Sequence, residues 1–512
     1  MESKKNVMFF VSTEGHVKGA RTLASVLKDE LDLNVSISDL SGRLSTLWGG
    51  DDDALLAAGL REEGGRKSSC LRGLIKLLRK CSLIFSFSLF YCLFLYNLLF
   101  FASFNFWRGT QDKPVLHSAV MKAFFLMKRA SSFLQRSRIF SRMTYGVSFS
   151  RDLFFGIFED NRILDDLAKV FCVKSPDLLV LQEFNLGYKY HLICHVAREF
   201  NIPILVMPYT MAGAQEWVAS FKDRKDCRVS GVFRSLLAKA YPDWVSDDGM
   251  GGKIILPVSW LVSCVCNEFD LPLPWVTNSV PGLVYAVDNE FTRDFYSREG
   301  VDTSDWFVLG SLEEDMLHAI GEAGGGLIRA NPFVLIALPP DQFEALDSMR
   351  LEFSDYKQLV SFMIGCARSA VGAEMPVVVV LHPRTNRAAV AYLEDFGIVV
   401  SDLPLESLVS SAFLYIAVSS ATIRWAIASG IPVINFDAYH YGYHDYSNCC
   451  GVVEVRRKLE FESALSRMIH DKAFYDASVR AQRADAQRYF KVDGLSKKRV
   501  VALVSSIIGL RS

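Results

Sequence analysis

Three short apolar runs near the C-terminal end most constrain how this chain can fold. Val377 to Leu381 forms the first run, and Phe413 to Val418 forms the second. A helical segment, Ile423 to Ser429, then leads into the third run, Val433 to Phe436. Strands that are buried on both faces read as continuous apolar runs, and a helix between two of them is typical of a βαβ unit. This part of the chain therefore predicts an open parallel α/β sheet.

Polar residues follow each of these predicted strands. The first run continues into His382-Pro383-Arg384, the second into Ser419-Ser420-Ala421-Thr422, and the third ends at Asp437. Ligands of open parallel sheets bind at the carboxyl ends of the strands. A helix that begins with Ser-Ser-x-Thr offers N–H groups and hydroxyls to an anion, although ordinary capping uses the same residues. The pattern predicts half of a site for a phosphate-bearing ligand, with a nucleotide as the best candidate.

Length and composition limit the classes of protein that need to be considered. A chain of 512 residues is expected to form two or three domains. Apolar residues make up 50% and charged residues 22%, as in globular α/β proteins, and a net charge of −1 argues against a nucleic-acid partner. The 11 cysteines lack CxxC spacing, which favours free thiols in a reducing cytoplasm. The first residues show no signal-peptide pattern.

An apolar segment, Cys81 to Trp107, explains much of the high mean hydropathy of +0.19. It has the length of a membrane-spanning helix, but basic residues flank both ends, so both ends are expected on the cytoplasmic side. We therefore expect a membrane-dipping hairpin or an interfacial helix. His117 to Met143 alternates apolar and basic residues, which is typical of a helix lying on anionic lipid. The alternative is an apolar helix pair buried inside the N-terminal domain.

The remaining pattern predicts two Rossmann-like domains that face each other across a cleft. The first βαβ unit comprises Asn6 to Ser12, Val17 to Leu31 and Asn34 to Ile37. Val218 to Ile255 is largely polar and is predicted to be a loop or an insertion. The expected domains are an N-terminal domain at 1–320 with membrane-associated helices inserted at 66–145, a glycine-rich linker at 321–331, a C-terminal domain at 332–475, and C-terminal helices at 476–512.

Four motifs in this order resemble the GT-B superfamily of nucleotide-sugar enzymes, specifically proteins of bacterial surface-carbohydrate biosynthesis. Pro176–Thr210 is similar to the strand–acidic turn–helix–strand unit of that group. Gly300–Leu317 is similar to the segment that closes the N-terminal domain in such enzymes and in UDP-N-acetylglucosamine 2-epimerases. LHPR at 381–384 and SSAT at 419–422 resemble the His-Pro and Ser-Ser motifs of bacterial sialyltransferases and capsule transferases.

The resemblance implies a GT-B fold with the nucleotide-sugar donor bound to the C-terminal domain and the acceptor to the N-terminal domain. The donor is a substrate, so no cofactor is implied. Together with the apolar segment, it implies a lipid-linked saccharide, lipopolysaccharide or capsule acceptor at the cytoplasmic face of the inner membrane of a bacterium. The membrane surface would be contacted through 81–107 and 117–143.

Glu183 is the candidate general base because it follows a predicted strand, Asp177 to Leu181, on the side where the cleft is expected. Helix capping and an ion pair with Lys189 are the structural alternatives. The acidic motif here is Glu-Phe-Asn rather than acidic-acidic-Gly, so Asp247 and Asp248, followed by a glycine, are rival candidates.

Other candidates complete the predicted cleft. His382 would bind the donor phosphate or protonate it as it leaves, and Arg384 would clamp the same phosphate. Ser419, Ser420 and Thr422 would also contact the phosphate. Asp437 would bind a ribose hydroxyl. Gly15 and His16 occupy the first βα turn, and Tyr439 begins an aromatic loop that could stack on a base or a sugar. No metal is predicted, because His440 and His444 would need a helix between them and a glycine interrupts it.

Three functions are compatible with the sequence. The first is a metal-independent, inverting glycosyltransferase, in which one base activates an acceptor hydroxyl. The second is an epimerase on the same fold, which needs several carboxylates around one sugar carbon. The third is a non-catalytic, membrane-bound scaffold of polysaccharide assembly.

Overall fold

The computed structural model describes residues 4–12, 14–39, 159–208, 211–249, 251–312, 315, 332–343, 351–382, 385, 387–396 and 398–510. The insertion expected at 66–145, both of its membrane-directed segments, the linker at 321–331 and Arg384 lie outside these residues. Within the described ranges, no helix combines the length and apolar character needed to cross a bilayer.

The N-terminal half is built on parallel strands with helices between them. Its strands are β1 (Asn6–Val11), β2 (Asn34–Asp39), β3 (Leu178–Leu181), β4 (Ile204–Val206), β5 (Val245–Asp247), β6 (Lys253–Ile255), β7 (Val284–Val287) and β8 (Phe307–Val308). Its helices are α1 (Glu14–Leu31), α2 (159–174), α3 (Tyr190–Glu199), α4 (Ala214–Phe221), α5 (Gly231–Ala240), α6 (Val258–Cys266) and α7 (Glu290–Arg298), with short 3₁₀ turns at Leu186–Tyr188 and Pro242–Trp244. Six strands form a parallel sheet in the order β2-β1-β3-β4-β7-β8, and β5 and β6 form a separate antiparallel hairpin.

The C-terminal half repeats this architecture. Its strands are β9 (Val334–Ala337), β10 (Val377–Val380), β11 (Val399–Ser401), β12 (Leu414–Ala417), β13 (Val433–Phe436) and β14 (Val452–Val455). Its helices are α8 (Tyr356–Val371), α9 (Leu405–Val409), α10 (Ile423–Ala428) and α11 (Lys458–His470), with a 3₁₀ stretch at Arg387–Phe396. The six strands are all parallel, in the order β11-β10-β9-β12-β13-β14. This is the Rossmann strand order, so the expectation of two Rossmann-like domains is confirmed.

Apolar strands and local caps explain why these elements form. β10 consists of four consecutive valines, and every residue of β12 is buried, as expected for a parallel sheet covered by helices on both faces. Asp355 caps α8 by accepting from the Gln358 N–H at 2.8 Å. Asn289 caps α7 in the same way through the Thr292 N–H.

The last helices return to the N-terminal domain. They are α12 (Lys472–Tyr489) and α13 (Ser496–Ile507). α12 packs against α10, α11 and α7, whereas α13 packs against α1. Val500 and Val504 share one buried core with Val7, Phe9 and Val11 of β1. The Ser496 hydroxyl also donates to Asp315 at 3.0 Å, so the final helix is structurally part of the N-terminal domain.

Of the two alternatives predicted for Val218 to Ile255, a loop or an insertion, the loop was wrong. This stretch contains the end of α4, all of α5 and the hairpin of β5 and β6. Trp244, Ile254 and Ile255 are buried there. The C-terminal helical region begins at Lys472 rather than at 476, and it is broken between Tyr489 and Ser496.

Candidate active site

Both sheets have a topological switch point, where successive strands are added to opposite sides. In the N-terminal sheet this point lies between β1 and β3, and in the C-terminal sheet it lies between β9 and β12. Ligands of doubly wound sheets bind in the crevice at the carboxyl ends of the strands that flank this point. The residues that follow β1, β3, β9 and β12 are therefore the structural candidates for a site.

His16 and Glu183 meet at the N-terminal switch point. His16 lies in the first turn of α1, directly after β1, and Glu183 follows β3. The His16 Nε2 atom is 3.8 Å from Glu183 Oε2, and the side chains are 3% and 7% exposed. Asn185 Nδ2 donates to the other carboxylate oxygen at 3.3 Å. The structure thus joins two candidates that stand 167 positions apart in the sequence, Glu183 being the predicted base.

The hydrogen bonds of the His16 ring indicate its tautomer. The Ser12 backbone N–H donates to Nδ1 at 3.4 Å. In the neutral ring the remaining proton is then on Nε2, which faces the Glu183 carboxylate. His16 therefore directs an N–H toward the Glu183 carboxylate, which lies just beyond hydrogen-bonding distance.

The turn that carries Glu183 is anchored by a residue that the sequence did not single out. Asn278 is fully buried, and its Oδ1 accepts from the Phe184 N–H at 2.6 Å. Its own N–H donates to the Phe184 carbonyl at 3.1 Å, and its Nδ2 donates to the Tyr296 hydroxyl at 2.8 Å. Burial raises the pKa of Tyr296, and the nearby Glu183 charge adds to this. Asn278 lies in a non-periodic stretch, so no sequence pattern could have indicated it.

Aromatic and apolar side chains surround this pair. Tyr188 packs edge-on against the His16 ring at 5.9 Å, and burial, with a contribution from Glu183, raises the pKa of Tyr188. Beside Asn185 lies a small hollow of about 10 Å³, which has room for about one water molecule. It is lined by Phe184, Asn185, Leu186, Trp217, Leu271, Pro274, Val276 and Thr277. Lys189, the alternative ion-pair partner for Glu183, instead pairs with Glu159 at 2.8 Å and Asp160 at 3.1 Å.

The Ser419–Thr422 turn lies at the C-terminal switch point, after β12. Ser419 has a left-handed φ of 43°, which is uncommon for a residue other than glycine. Its N–H donates to Asn435 Oδ1 at 2.9 Å, and its hydroxyl donates to Asp437 at 3.3 Å. Side chains at the end of β13 therefore hold the backbone in this conformation.

Hydroxyl groups of the turn form a chain. Thr422 Oγ1 lies 2.7 Å from Ser420 Oγ and 2.6 Å from the Tyr415 hydroxyl. The Thr422 N–H points to Ser420 Oγ at 3.3 Å, which is a capping interaction inside the turn. Ser420 and Thr422 are both half-buried, and α10, which follows them, has six residues. The hydroxyls rather than a long helix dipole are thus the groups that this turn offers to a ligand.

His382 follows β10, and β9 lies between β10 and β12. Two strand spacings, about 9.5 Å, therefore separate the strand ends that carry His382 and Ser419. His382 is half-buried, and its carbonyl accepts from the Thr385 N–H at 2.8 Å. A phosphorylated ligand of nucleotide size can span such a distance along the sheet edge. Arg384 is outside the described residues.

Asp437 is already bound by backbone groups. Its carboxylate accepts from the N–H groups of Tyr441 at 2.8 Å and Gly442 at 2.9 Å, and it pairs with Arg456 at 3.3 Å. The residue is 6% exposed. These contacts fix the loop after β13, and the ribose contact of Asp437 stays a prediction.

Three other predicted residues lie outside the turns that directly follow β1, β3, β9 and β12. Tyr439 is 3% exposed, and its hydroxyl donates to the Pro340 carbonyl at 2.8 Å, so it belongs to the core of the C-terminal domain. Asp247 and Asp248 lie at the end of the β5–β6 hairpin, where Asp248 Oδ1 accepts from the Gly252 N–H at 2.8 Å. Gly15, in contrast, lies in the first turn of α1, beside His16.

Side chains of the two domains meet at these edges. Arg424 Nη1, from α10, pairs with Asp288 Oδ2 at 2.7 Å, and Lys18, from α1, pairs with Glu406 of α9 at 3.2 Å. Glu216 of α4 also interacts with Asp445, which lies in the loop after β13. Burial, reinforced by neighbouring carboxylates, raises the pKa of Glu216 to about 8 and that of Asp445 to about 6.

The described part of the chain contains no group of three or more His, Cys, Asp or Glu side chains arranged to hold a metal ion. The His444 Nδ1 atom lies 3.5 Å from Glu454 Oε2, and its Nε2 atom lies 3.3 Å from the Arg456 guanidinium. The positively charged arginine side chain is therefore a direct neighbour of this ring. His440 and His444 are separated by irregular structure that includes Gly442 with a φ of 72°.

No protein-family model and no curated protein matches the sequence. Among solved structures, a calicheamicin glycosyltransferase, CalG4, aligns with a TM-score of 0.47 and 11% identity over 99% of both chains. The S. aureus MnaA–UDP co-structure gives 0.46 and 9%, covering 99% of this chain and 98% of that one. The Neisseria meningitidis UDP-GlcNAc 2-epimerase bound to UDP-GlcNAc gives 0.43 and 9%, covering 98% and 100%. With TM-scores below 0.5, these likenesses carry no weight in the assignments below, which rest on the strand order and on the residues at the switch points.

Proposed function

We propose that this chain is a GT-B-type glycosyltransferase, which moves a sugar from a nucleotide-sugar donor to an acceptor hydroxyl. The observation that carries the proposal is the pairing of two Rossmann-like sheets whose switch points hold complementary chemistry. One has a buried carboxylate beside His16, and the other has a turn rich in hydroxyl groups. The first suits proton abstraction, and the second suits a phosphate.

In this mechanism Glu183 accepts the proton of the acceptor hydroxyl as the new glycosidic bond forms. Asn185 donates a hydrogen bond to the carboxylate at 3.3 Å, and the His16 Nε2 atom lies beside it at 3.8 Å. The donor phosphates lie against the hydroxyls of Ser419, Ser420 and Thr422, with His382 and Arg384 supplying further contacts. These groups stabilise the negative charge that develops on the leaving nucleotide. A single base that activates the acceptor directly corresponds to an inverting, metal-independent reaction.

A nucleotide-sugar epimerase is the second candidate, and one observation favours it. Glu216 and Asp445 come from different domains, and burial raises the pKa of each toward neutrality, to about 8 and about 6. Carboxyl groups whose pKa is raised by burial in this way are suited to the proton exchange that epimerisation requires.

The acceptor is proposed to be a lipid-linked saccharide of capsule or lipopolysaccharide type. The support comes from the sequence, where the apolar segment at 81–107 and the basic amphipathic segment at 117–143 favour contact with an anionic membrane.

A single assay separates these functions. The purified full-length protein is incubated with a panel of nucleotide sugars, with and without a lipid extract as acceptor source, and nucleotide release and sugar isomers are measured. Acceptor-dependent release of nucleotide with a glycosylated lipid product is the expected result. Isomerised sugar without an acceptor-dependent product would favour the epimerase and reject the transferase. Absence of any turnover with every donor and acceptor would favour the scaffold.

A further inference from the structure

Two successive carbonyl groups of the Ser419–Thr422 turn accept hydrogen bonds from side chains that also contact the N-terminal domain. The first is the Ser420 carbonyl, which accepts from the Tyr446 hydroxyl at 3.1 Å. The Tyr446 ring stacks on Phe291 of α7, with ring centroids 5.5 Å apart and an interplanar angle of 9°. Both rings are buried, at 3% and 1% exposure. The turn is thus connected to the N-terminal domain through an aromatic stack.

The second carbonyl is that of Ala421, which accepts from Arg424 Nε at 3.3 Å. The same guanidinium pairs through Nη1 with Asp288, which stands between β7 and α7, at 2.7 Å. The Thr292 hydroxyl donates to the other oxygen of Asp288 at 2.8 Å and so fixes the orientation of the carboxylate. One arginine therefore bonds to the turn and to the opposite domain at once.

This ion pair is largely removed from water, because the Arg424 and Asp288 side chains are 12% and 19% exposed. Loss of one partner of such a pair leaves the other charge poorly solvated, so the pair resists separation. The second ion pair between the domains, Lys18 with Glu406, is different, because its lysine is 57% exposed. An exposed pair of this kind contributes little to holding two surfaces together.

We propose that Arg424 is a positioning residue, which couples the shape of the Ser419–Thr422 turn to the docking of the turn on Asp288. Nucleotide binding at the turn and apposition of the domains then favour each other, so the donor site is fully formed only when the domains are together. This inference rests on the proposed function, since it takes the turn to be the donor site.

The sign of one substitution tests the coupling. Asp288→Asn removes a negative charge near a site for an anionic ligand, so electrostatics alone would make nucleotide binding tighter. Coupling predicts the opposite, because the variant releases Arg424 from the N-terminal domain. We expect the affinity for UDP, CMP, GDP or CDP, whichever the wild-type protein binds, to fall about 5–10-fold, measured by titration calorimetry. The KM for the donor should rise by the same factor.

Three further variants complete the experiment. Glu406→Gln is the matched control, since it also removes a carboxylate from a pair between the domains, and its affinity should not fall. Asp288→Glu keeps the charge and should retain most of the wild-type affinity. Thr292→Val removes the hydroxyl that orients Asp288 and should show a smaller loss of nucleotide affinity than Asp288→Asn. If Asp288→Asn does not fold, Thr292→Val and Asp288→Glu together test the coupling.

The outcomes of this experiment are distinct. Unchanged or tighter binding by folded Asp288→Asn, with nucleotide binding intact in the wild-type protein, would overturn the coupling and leave the proposed function standing. If Asp288→Asn does not fold, undiminished affinity in Thr292→Val would have the same meaning. If the wild-type protein binds none of the nucleotides, the proposed function fails, and the inference fails with it.

Discussion

At the scale of single residues, Glu183 is the side chain on which the proposed chemistry depends. Glu183→Gln keeps the volume and can still bond to Asn185, so the fold and nucleotide binding should persist. Because the amide cannot accept the acceptor proton, turnover should fall by about 10²–10⁴-fold. Initial rates at saturating donor measure this, with Asp247→Asn as the control, since Asp247 lies on the solvent-exposed hairpin. Equal rates in Glu183→Gln and the wild-type protein would remove Glu183 from the base role.

His191 provides a prediction about pH at the same scale. It is 1% exposed, its Nε2 lies 2.6 Å from Ser263 Oγ, and burial, with the nearby Lys189 charge, lowers its pKa from 6.5 to about 3. Between these values the unfolded state binds the proton and the folded state does not. Stability is therefore fully present above pH 6.5 and falls as pH decreases, by at most about 1.4 kcal/mol per pH unit from this group.

The measurement is urea unfolding at pH 7 and pH 5 for the wild-type protein and for His191→Gln. The variant lacks the titrating ring, so its loss of unfolding free energy between the two pH values should be smaller. An identical loss in both proteins would show that other groups cause the acid sensitivity.

At the scale of elements, the turn after β12 depends on a residue at the end of β13. Asn435 is 4% exposed, and its Oδ1 accepts the N–H of Ser419, the residue with the left-handed φ. Asn435→Ala leaves this N–H without its acceptor and should cost about 1–3 kcal/mol of unfolding free energy. Nucleotide affinity should fall as well, because the turn loses its fixed shape. Chemical denaturation and calorimetry check the two effects, and a variant with wild-type affinity would show that the turn does not bind the nucleotide.

The C-terminal helix is the element whose removal should have the largest effect on the N-terminal domain. Val500 and Val504 of α13 are 1% and 0% exposed against the core of β1. A chain that ends at Asp493 would expose this apolar surface, so we expect it to aggregate or to unfold at a lower temperature. Light scattering and thermal denaturation test this, with Leu459→Ala as a control because Leu459 is 78% exposed. A truncated chain with the wild-type melting temperature would contradict the packing.

Local sequence pattern explains much of the fold. The strands at Val377–Val380, Leu414–Ala417 and Val433–Phe436 were predictable because a parallel sheet requires continuous apolar runs. The α4–α5 region was not, since its short elements bury few residues each. Glu183 and His16 could be proposed from their positions after strands, but their contact depends on which strands are neighbours. The roles of Asn278, Asn435 and the Arg424–Asp288 pair could not be predicted. Each makes its contacts with residues far away in the sequence, and a single sequence does not show which distant residues are neighbours in the fold.

At the scale of the whole molecule, the two domains are not formed by two separate, consecutive segments of the chain. The chain begins in the N-terminal sheet, builds the C-terminal sheet between 332 and 470, and then returns through α12 and α13 to the surface from which it started. Each domain therefore contacts segments from both ends of the chain. Within the described residues, the α12 helix and the contacts between the facing edges both connect the two domains.

The return of α13 to the first strand has a consequence for how the protein matures during synthesis. β1 leaves the ribosome long before Val500 and Val504, which form part of its apolar cover, are translated. The C-terminal sheet has all of its strands available before α13 is translated. Many chains fold their domains in the order of synthesis, from the N-terminus onward. Here the N-terminal domain emerges before the C-terminal sheet but is completed after it, so part of its core stays uncovered until α13 is translated.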